Sequence, residues 1–467
     1  MKATRLLIAA ALLTATAASA NNHDDKSRHS DNVDEVTLII GGDSTDPEIL
    51  EFESPQKMKE HLKERKLKKE LQEEQAALQI TEAIPADFSD VQAPAFIFTQ
   101  KDNKFSFGIG GFINLRTSYD FNGIVENIDF VTAEIPIPGD YATKQQVMMD
   151  ASTSRIYMTA VANTRALGAI KIYMDMDLRG GAGYTSGTGV TNKYTPRVRR
   201  AYASFLGVTI GRDITTFCDL AATATTIDFQ GPNAYAFNYA TLIRYEHNFC
   251  DDHFTAAIAL EQPNLSATYG DYFEPIPQRV PDVPVYLQYK FGRTRSNHFR
   301  AAAVFRDMYA YSTTKDENTA LFGWGVQFTG HLEPFSWLGI CGGGTYGRGI
   351  TPYIQDLIGS GLDFTPNPSK TTSIQTMPMY AWQASANINF TDRLVATGGY
   401  SMVKVDKENG YYSDDQFRKT QYMFGNLFYN LTPRLQLACE YIHGTRRNMN
   451  CQSNYANRGS LMAQFNF

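Results

Sequence analysis

Eight basic side chains lie on the polar face of segments in which apolar and polar residues alternate. A guanidinium group is permanently charged and presents a planar fork of N–H donors that matches a carboxylate. A cluster of such groups along one surface therefore predicts attraction of small anions. The predicted anion-binding residues are Arg116, Arg155, Lys171, Arg179, Arg200, Arg244, Arg300 and Arg306.

Acidic residues share this polar face, so a second interpretation of the arginines stays open. They are Asp175, Asp177, Glu246, Glu261 and Glu440. The arginines either attract anions from solution or pair with these carboxylates and hold a protein wall together. One polar surface can use its charges in both ways, because fixed charges pair locally and also raise the concentration of counterions nearby.

The segment 196–206 is ambiguous, because Arg199 and Arg200 are adjacent and cannot both follow the alternation. Ala201, Ala203 and Phe205 form the better apolar face. The pattern therefore assigns Arg200 to the polar face.

The sequence offers no convincing catalytic, metal or cofactor site. His247 and His443 have no companion nucleophile pattern, and the five cysteines form no C-x-x-C pair. Neither a disulfide framework nor a zinc site is indicated, and the state of Cys451 in its predicted surface loop stays open. We expect no enzyme activity and no cofactor.

The elements that must position these residues are β-strands. Phe105, Phe107 and Ile109 alternate with Ser106 and Gly108, and the stretch from Ile170 to Arg179 alternates in the same way. After the first residues, no apolar run approaches the roughly 20 residues of a membrane-spanning helix. The chain nevertheless contains 26 Tyr and 29 Phe. These features are typical of an all-β, antiparallel transmembrane barrel, in which lipid-facing and lumen-facing residues alternate.

The connections between the predicted strands alternate between short turns and long loops. About 16 strands fit between residues 104 and 467, an even number typical of bacterial barrels. Short turns on the periplasmic side and long loops outside would place the first and the last residues of the barrel sequence in the periplasm. In the second half the long external loops are predicted at 309 to 319, 348 to 377, 406 to 415 and 444 to 456.

The region before the barrel, which is predicted at 101–467, divides into four segments. Residues 1–20 resemble a cleavable signal peptide, with an uncleaved membrane anchor as the alternative. Residues 21–54 are polar and predicted to be flexible. Residues 55–80 predict a helix, either a short trimeric coiled coil or a solvated tether, because the heptad register is interrupted. Residues 81–100 are the linker into the barrel.

The loop near 214–238 is unusually apolar for a surface loop and contains Phe217, Phe229 and Phe237. Folding it into the lumen would bury these rings and narrow the wide pore of a 16-stranded barrel. The alternative is that the loop packs at an interface between protomers. At the other end of the chain, the terminal Phe467 on an amphipathic strand resembles the signal read by the outer-membrane assembly machinery.

Several runs in the barrel resemble the DcaP-like outer-membrane porins. They are P-R-V-R-R-A-Y-A-S-F from Pro196, T-T-F-C-D-L-A from Thr215, T-I-D-F-Q-G-P-N from Thr226, N-L-F-Y-N-L-T-P-R-L from Asn426 and, more weakly, G-F-I-N-L-R from Gly111. The resemblance implies a trimer of 16-stranded barrels that takes up dicarboxylates and similar anions. The implied constriction loop covers 215–233, with Phe217, Asp219, Asp228, Phe229 and Asn233 as its constriction residues. Arg212-Asp213 and Cys218 depart from the family pattern, which leaves the solute open.

The sequence thus predicts a passive porin of the bacterial outer membrane with its N-terminal segment in the periplasm. The expected partners are two further copies of the chain, outer-membrane lipids and lipopolysaccharide, the assembly machinery and small anionic solutes. The net charge of −6 gives no indication of nucleic-acid binding. A structural barrel that tethers the envelope through residues 55–80 is the alternative.

Overall fold

The structure is a computed structural model of the 467-residue chain. It describes residues 36–40, 48–52, 55–85, 93–100, 104–123, 128–139, 145–180, 194–292, 295–367, 369–408 and 410–467. The predicted signal peptide and most of the segment 21–54 lie outside the described residues. The chain forms two compact units, Met1–Leu71 and Gln72–Phe467.

The first unit contains a β-hairpin and most of one long helix. Strands β1 (Val36–Ile40) and β2 (Glu48–Phe52) pair in antiparallel fashion. Helix α1 spans Pro55–Glu82, so its last residues belong to the second unit. Among the described residues, no helix combines the length and the apolar character needed to cross a membrane.

The second unit is a closed antiparallel β-barrel of 16 strands, as predicted. Two of the 16 are built from two pieces each, β5 with β6 and β12 with β13, which share the neighbours β4 and β14. The short β3 pairs only with β4, and β17 with β18 forms a separate hairpin. The bounds are β3 Phe96–Thr99, β4 Phe105–Asn122, β5 Gln146–Asp150, β6 Arg155–Thr164, β7 Gly168–Asp177, β8 Arg197–Phe205, β9 Val208–Ile214, β10 Tyr239–Phe249, β11 Phe254–Glu261, β12 Phe273–Pro275, β13 Val283–Phe291, β14 Asn297–Ser312, β15 Glu317–Phe335, β16 Leu338–Arg348, β17 Phe364–Asn367, β18 Lys370–Thr376, β19 Pro378–Thr391, β20 Leu394–Val405, β21 Phe417–Asn430, β22 Leu435–Asn448 and β23 Ser453–Asn466.

Alternation along the strands separates an outer apolar surface from an inner polar one. On β4, Ile113 and Leu115 are 58% and 44% exposed on the outside, whereas Asn114 and Arg116 are 6% and 2% exposed on the inside. Because side chains on a strand alternate between its two faces, the same parity assigns the other strands. An apolar outer surface of this kind is what contact with a lipid bilayer requires.

The barrel closes between β4 and β23, where both ends of the barrel sequence meet. Strand β23 pairs with β4 from Phe112 to Asn122, and β3 pairs with the beginning of β4, from Ser106 to Ile109. The terminal Phe467 exchanges two backbone hydrogen bonds of 2.9 Å with Gly111. Its ring also lies where a side chain on Gly111 would be, so a glycine is required at this contact.

The two ends of the barrel differ in their connections, with two corrections to the predicted loops. One end, here called the short-turn end, carries tight turns such as Leu206-Gly207 and includes Phe467. At the other, the long-loop end, the predicted loops at 309–319 and 444–456 are wrong: turns of four residues, 313–316 and 449–452, connect the strands. These strands therefore continue further toward the long-loop end than the alternation alone indicated.

The loop 348–377 was predicted to be external, but its first part, residues 350–357, folds into the lumen. Ile350, Ile354 and Leu357 are fully buried, and they pack against inward-facing residues of the wall such as Val304 and Val403. Apolar residues on the inner face of β14 and β20 thus provide a second apolar core inside the barrel. Apolar residues on alternate positions of a strand usually face lipid. Val304 and Val403 instead face the lumen, because the buried loop residues provide their apolar contacts.

Candidate functional site

The segment 215–238 enters the lumen from β9, the shortest uninterrupted strand of the barrel at seven residues. Its first residues are fixed to the wall by Glu261 on β11. The Thr215 hydroxyl and the Thr216 N–H each donate a hydrogen bond of 2.6 Å to this carboxylate. The loop therefore turns inward at a defined point.

Further along, Asp219 attaches the loop to strands on another part of the wall. Its carboxylate accepts hydrogen bonds from His298 at 3.0 Å and from the Thr329 hydroxyl at 2.5 Å. Burial alone would raise the pKa of Asp219, but the hydrogen bond from His298 and the charge of Arg300 lower this pKa to about 2. Asp219 is therefore ionised at neutral pH and serves as a charged anchor.

The middle of the loop is held by Glu440 on β22. Its two carboxylate oxygens accept the backbone N–H groups of Ile227 and Asp228, each at 2.9 Å. The Asn426 amide donates to the same carboxylate at 2.9 Å. Two backbone donors on one carboxylate fix both the position and the direction of the loop.

The last part of the loop is anchored by Asn233, which is fully buried. Its amide nitrogen donates to the hydroxyls of Thr132 and Thr420 at 2.9 Å each. The Ser401 hydroxyl donates to its amide oxygen. Together with the contacts to β11, β14, β15 and β22, these bonds place the loop around much of the inner wall. Phe217, Asp219, Asp228 and Asn233 are buried within it, and Phe229 is half-buried.

A cluster of arginines lies on the inner face of β6, β7 and β8, and here it is called the arginine cluster. It consists of Arg155, Arg197, Arg199 and Arg200, together with Asp175 and Asp177. Asp175 accepts a hydrogen bond of 2.6 Å from Arg199, and Arg155 and Arg200 each approach it to 3.9 Å. Arg197 and Asp177 form a close pair, with a hydrogen bond of 3.0 Å from Nε. Four positive charges thus surround two negative ones.

A β-bulge explains how two adjacent arginines both reach the lumen. The pairing of β7 with β8 shifts between Asp175↔Arg200 and Met176↔Val198, which leaves Arg199 as an additional residue. Val198 is 39% exposed on the outer surface, while Arg199 and Arg200 are 0% and 1% exposed. Both arginines therefore lie inward, and strict alternation, which would leave Arg199 on the outer face, fails at this position.

Several predicted anion-binding residues are instead tightly engaged in ion pairs. Arg116 contacts Asp129 and Asp150 at 3.0 and 3.3 Å and also reaches the Ile227 carbonyl of the loop at 3.4 Å. Arg306 contacts Asp282 at 3.1 Å and Asp363 at 2.9 Å. Both side chains join an inward segment to the wall. For these two arginines the geometry favours the structural interpretation.

The remaining predicted basic residues have different surroundings. Arg244 pairs with Asp213 at 2.6 Å, and Arg179 pairs with Asp129 while lying 4.6 Å from the ring of Phe229. Arg300 lies 3.6 Å from the ring of Tyr286. Among the described residues, neither Arg300 nor Lys171 has a carboxylate within ion-pair distance.

Inward arginines that sequence reasoning missed include Arg197, Arg199 and Arg458. Arg197 and Arg199 depend on the bulge, for which a single sequence gives no direct indication. Arg458 could have been predicted, because it occupies an inward-facing position in the alternation of β23. It forms a buried bidentate pair with Asp120 at 2.5 and 2.9 Å.

The sequence matches the family model of the DcaP outer membrane protein over residues 67–331, more than half of the chain. The chain belongs to the DcaP outer membrane protein family. This confirms the predicted resemblance. The matched part runs from within α1 to β15 and contains both the inward loop and the arginine cluster of this DcaP family member.

Solved structures with similar folds are porin barrels. The outer membrane channel DcaP of Acinetobacter baumannii has 18% identity and a TM-score of 0.67, and the alignment covers 79% of this chain and 99% of that one. OmpF of Salmonella typhi has 11% identity and a TM-score of 0.52, with 79% of this chain and 100% of that one covered. The structural similarity, at these low identities, shows the fold of the DcaP family member and not its solute. A comparison with curated proteins found no significant match.

Proposed function

We propose that this DcaP family member is a porin for passive diffusion of small hydrophilic solutes and that it favours anions such as dicarboxylates. The observation that carries the proposal is the arginine cluster, in which Arg155, Arg197, Arg199 and Arg200 converge on Asp175 and Asp177. As defined by these six side chains, the cluster contains four cations and two carboxylates.

The charge of the cluster acts mainly through its electric field. Arg155, Arg199 and Arg200 are 3%, 0% and 1% exposed, so a passing anion meets them across intervening atoms. A charge fixed in a low-dielectric wall is poorly screened and raises the local concentration of counterions. An anion that loses hydration beside the inward loop is thereby stabilised relative to a cation.

We also propose the cellular arrangement that the fold and family favour. The barrel lies in the outer membrane, with its short-turn end and N-terminal segment in the periplasm and with lipids and lipopolysaccharide around it. Short periplasmic turns are general in bacterial barrels. The functional unit is a homotrimer, inserted by the outer-membrane assembly machinery that reads the strand ending in Phe467.

Single-channel recording in planar bilayers with a salt gradient tests the proposal. Stepwise conductance is expected, and the sign of the reversal potential should indicate anion preference. Closures in groups of three would support the trimer. A reversal potential that indicates cation preference would contradict the proposed selectivity while leaving the porin function intact.

The apolar core around residues 350–357 favours a second candidate, a structural barrel with little transport. Ile354, Leu357 and Leu362 fill part of the lumen without any exposed surface. A purified trimer that inserts into bilayers but conducts neither ions nor sugars would support this alternative.

A further inference from the structure

The last two turns of α1, which belong to the same unit as the barrel, pack against the barrel wall. Ala76, Ile80 and Ala83 lie at spacings of four and three residues, so they share one face of the helix. Ala76 and Ile80 are 0% exposed and Ala83 is 7% exposed. Ile80 and Ala83 form an apolar cluster with Val161 on β6.

The surface that they cover is the inner face of the wall. Thr159 and Val161 have the parity of the inward-facing Arg155, and Ser106 has the parity of Arg116. All three are at most 2% exposed. A lumen-facing threonine or serine would be open to solvent in an unobstructed mouth, so these side chains are covered by the N-terminal segment.

Two glycines on β4 make room for this contact. A Cβ atom on Gly108 would lie 2.7 Å from Cγ2 of Ile80 and 2.9 Å from Cγ of Pro94. A Cβ atom on Gly110 would lie 2.9 Å from Cα of Pro94. The wall is therefore shaped to accept the segment, because any larger side chain at either position would displace it.

The contact lies inside the short-turn end of the barrel. Strand β4 begins there at Phe105, so Gly108 lies about 10 Å along the strand at roughly 3.4 Å per residue. The Asn163 amide donates to Gln79 at 3.3 Å near the adjacent turn. The opposite face of the helix is open, since Leu78 is 60% exposed.

We propose that the last two turns of α1, together with Pro94, form one side of the permeation path at the short-turn end. The N-terminal segment then sets the width of this mouth, in series with the inward loop. A helix with its side chains is about 10 Å wide, which is large relative to the channel that a 16-stranded porin encloses. The inference rests on the proposed function, since it assigns a role in conduction.

Single-channel conductance of Ile80→Asp tests the assignment. A buried aspartate without a partner is costly, so the helix end should leave the wall and conductance should rise by roughly 1.2- to 2-fold, given a displaced body about 10 Å wide. Leu78→Asp is the matched control, with the same added charge on the exposed face. Its conductance should not rise, because the helix end stays against the wall.

A second measurement leaves the packing intact and decides the question if Ile80→Asp does not fold. In a variant without the native cysteines, Leu78→Cys is modified with a charged methanethiosulfonate reagent. Modification should reduce conductance, whereas the same treatment of Lys315→Cys, whose side chain is 57% exposed in the turn 313–316 at the long-loop end, should not.

The outcomes separate the two proposals. A parent protein that does not conduct contradicts the proposed function itself. A conducting parent whose Leu78→Cys variant is modified without any change in conductance overturns this inference alone. The same holds if Ile80→Asp folds and conducts as Leu78→Asp does.

Discussion

Replacing Arg155 and Arg200 together with glutamine tests the proposed origin of anion preference. Each guanidinium lies 3.9 Å from Asp175, which keeps its closer partner Arg199 at 2.6 Å. The double variant therefore removes two positive charges and leaves both carboxylates of the cluster paired. The four-to-two ratio of cations to carboxylates in the cluster becomes two-to-two, and the barrel should still fold.

The expected effect follows from the distances. Two unit charges about 4 Å apart interact by about 1 kcal/mol in water and more in a partly desolvated site. Because both arginines are covered, a passing anion is roughly twice as far away, and about 0.5 kcal/mol per charge is a reasonable magnitude. Since 1.4 kcal/mol is tenfold, losing two charges lowers the local concentration of a monoanion about fivefold and of a dianion about 30-fold.

The assay combines reversal potentials in a salt gradient with liposome flux of succinate and of a neutral sugar of similar size. The reversal potential should move toward cation preference, and succinate flux should fall much more than sugar flux. Arg155→Lys with Arg200→Lys keeps both charges and should retain the selectivity of the parent. If the glutamine variant matches the parent in both measurements, the field of the cluster does not determine selectivity and the reasoning is refuted.

Three further predictions address assembly, the inward segment and orientation. Deleting Phe467 should lower the yield of heat-modifiable folded barrel, because two backbone hydrogen bonds to Gly111 and a ring contact are lost; an unchanged yield would make this residue incidental. Arg306→Ala leaves Asp282 and Asp363 buried without their cation. The folded barrel should lose about 3–5 kcal/mol of stability in denaturant titrations. A loss below about 1 kcal/mol, typical of exposed pairs, would show that these ion pairs do not anchor the inward segment. Among variants with a single native cysteine, Cys451 should react with an impermeant maleimide on intact cells and Cys250 only after permeabilisation, since both are exposed but lie in turns at opposite ends; the reverse result would invert the proposed orientation.

The architecture was predictable from the sequence because the membrane imposes a strict alternation on each strand. The strand number followed from this pattern, and Phe217 and Phe229 were the basis for predicting an inward loop near 214–238. The family was identified from the short runs beginning at Pro196, Thr215 and Thr226, a region that the matched family model includes.

The features that escaped prediction are those in which the alternation fails locally. Arg199 reaches the lumen through a bulge, which depends on the pairing of two strands and not on one sequence segment. The segment 350–357 lies inside because apolar residues such as Val304 and Val403 face the lumen there, and parity alone assigns such residues to lipid. The turn 313–316 was missed because the strands on either side of it continue further toward the long-loop end than the alternation alone indicated.

The closure of the barrel between β4 and β23 has a consequence for biogenesis. Strand β4, near the beginning of the barrel sequence, pairs with β5 and β6 along one edge. The edge that faces the closing point of the barrel finds its partner only when β23, the last strand of the barrel, has arrived. Until the final residues are delivered, the sheet has two open edges with unpaired N–H and C=O groups, which are templates for pairing with other chains. The protein is thus most vulnerable to aggregation during export, and a chain truncated anywhere before β23 would keep an open edge permanently.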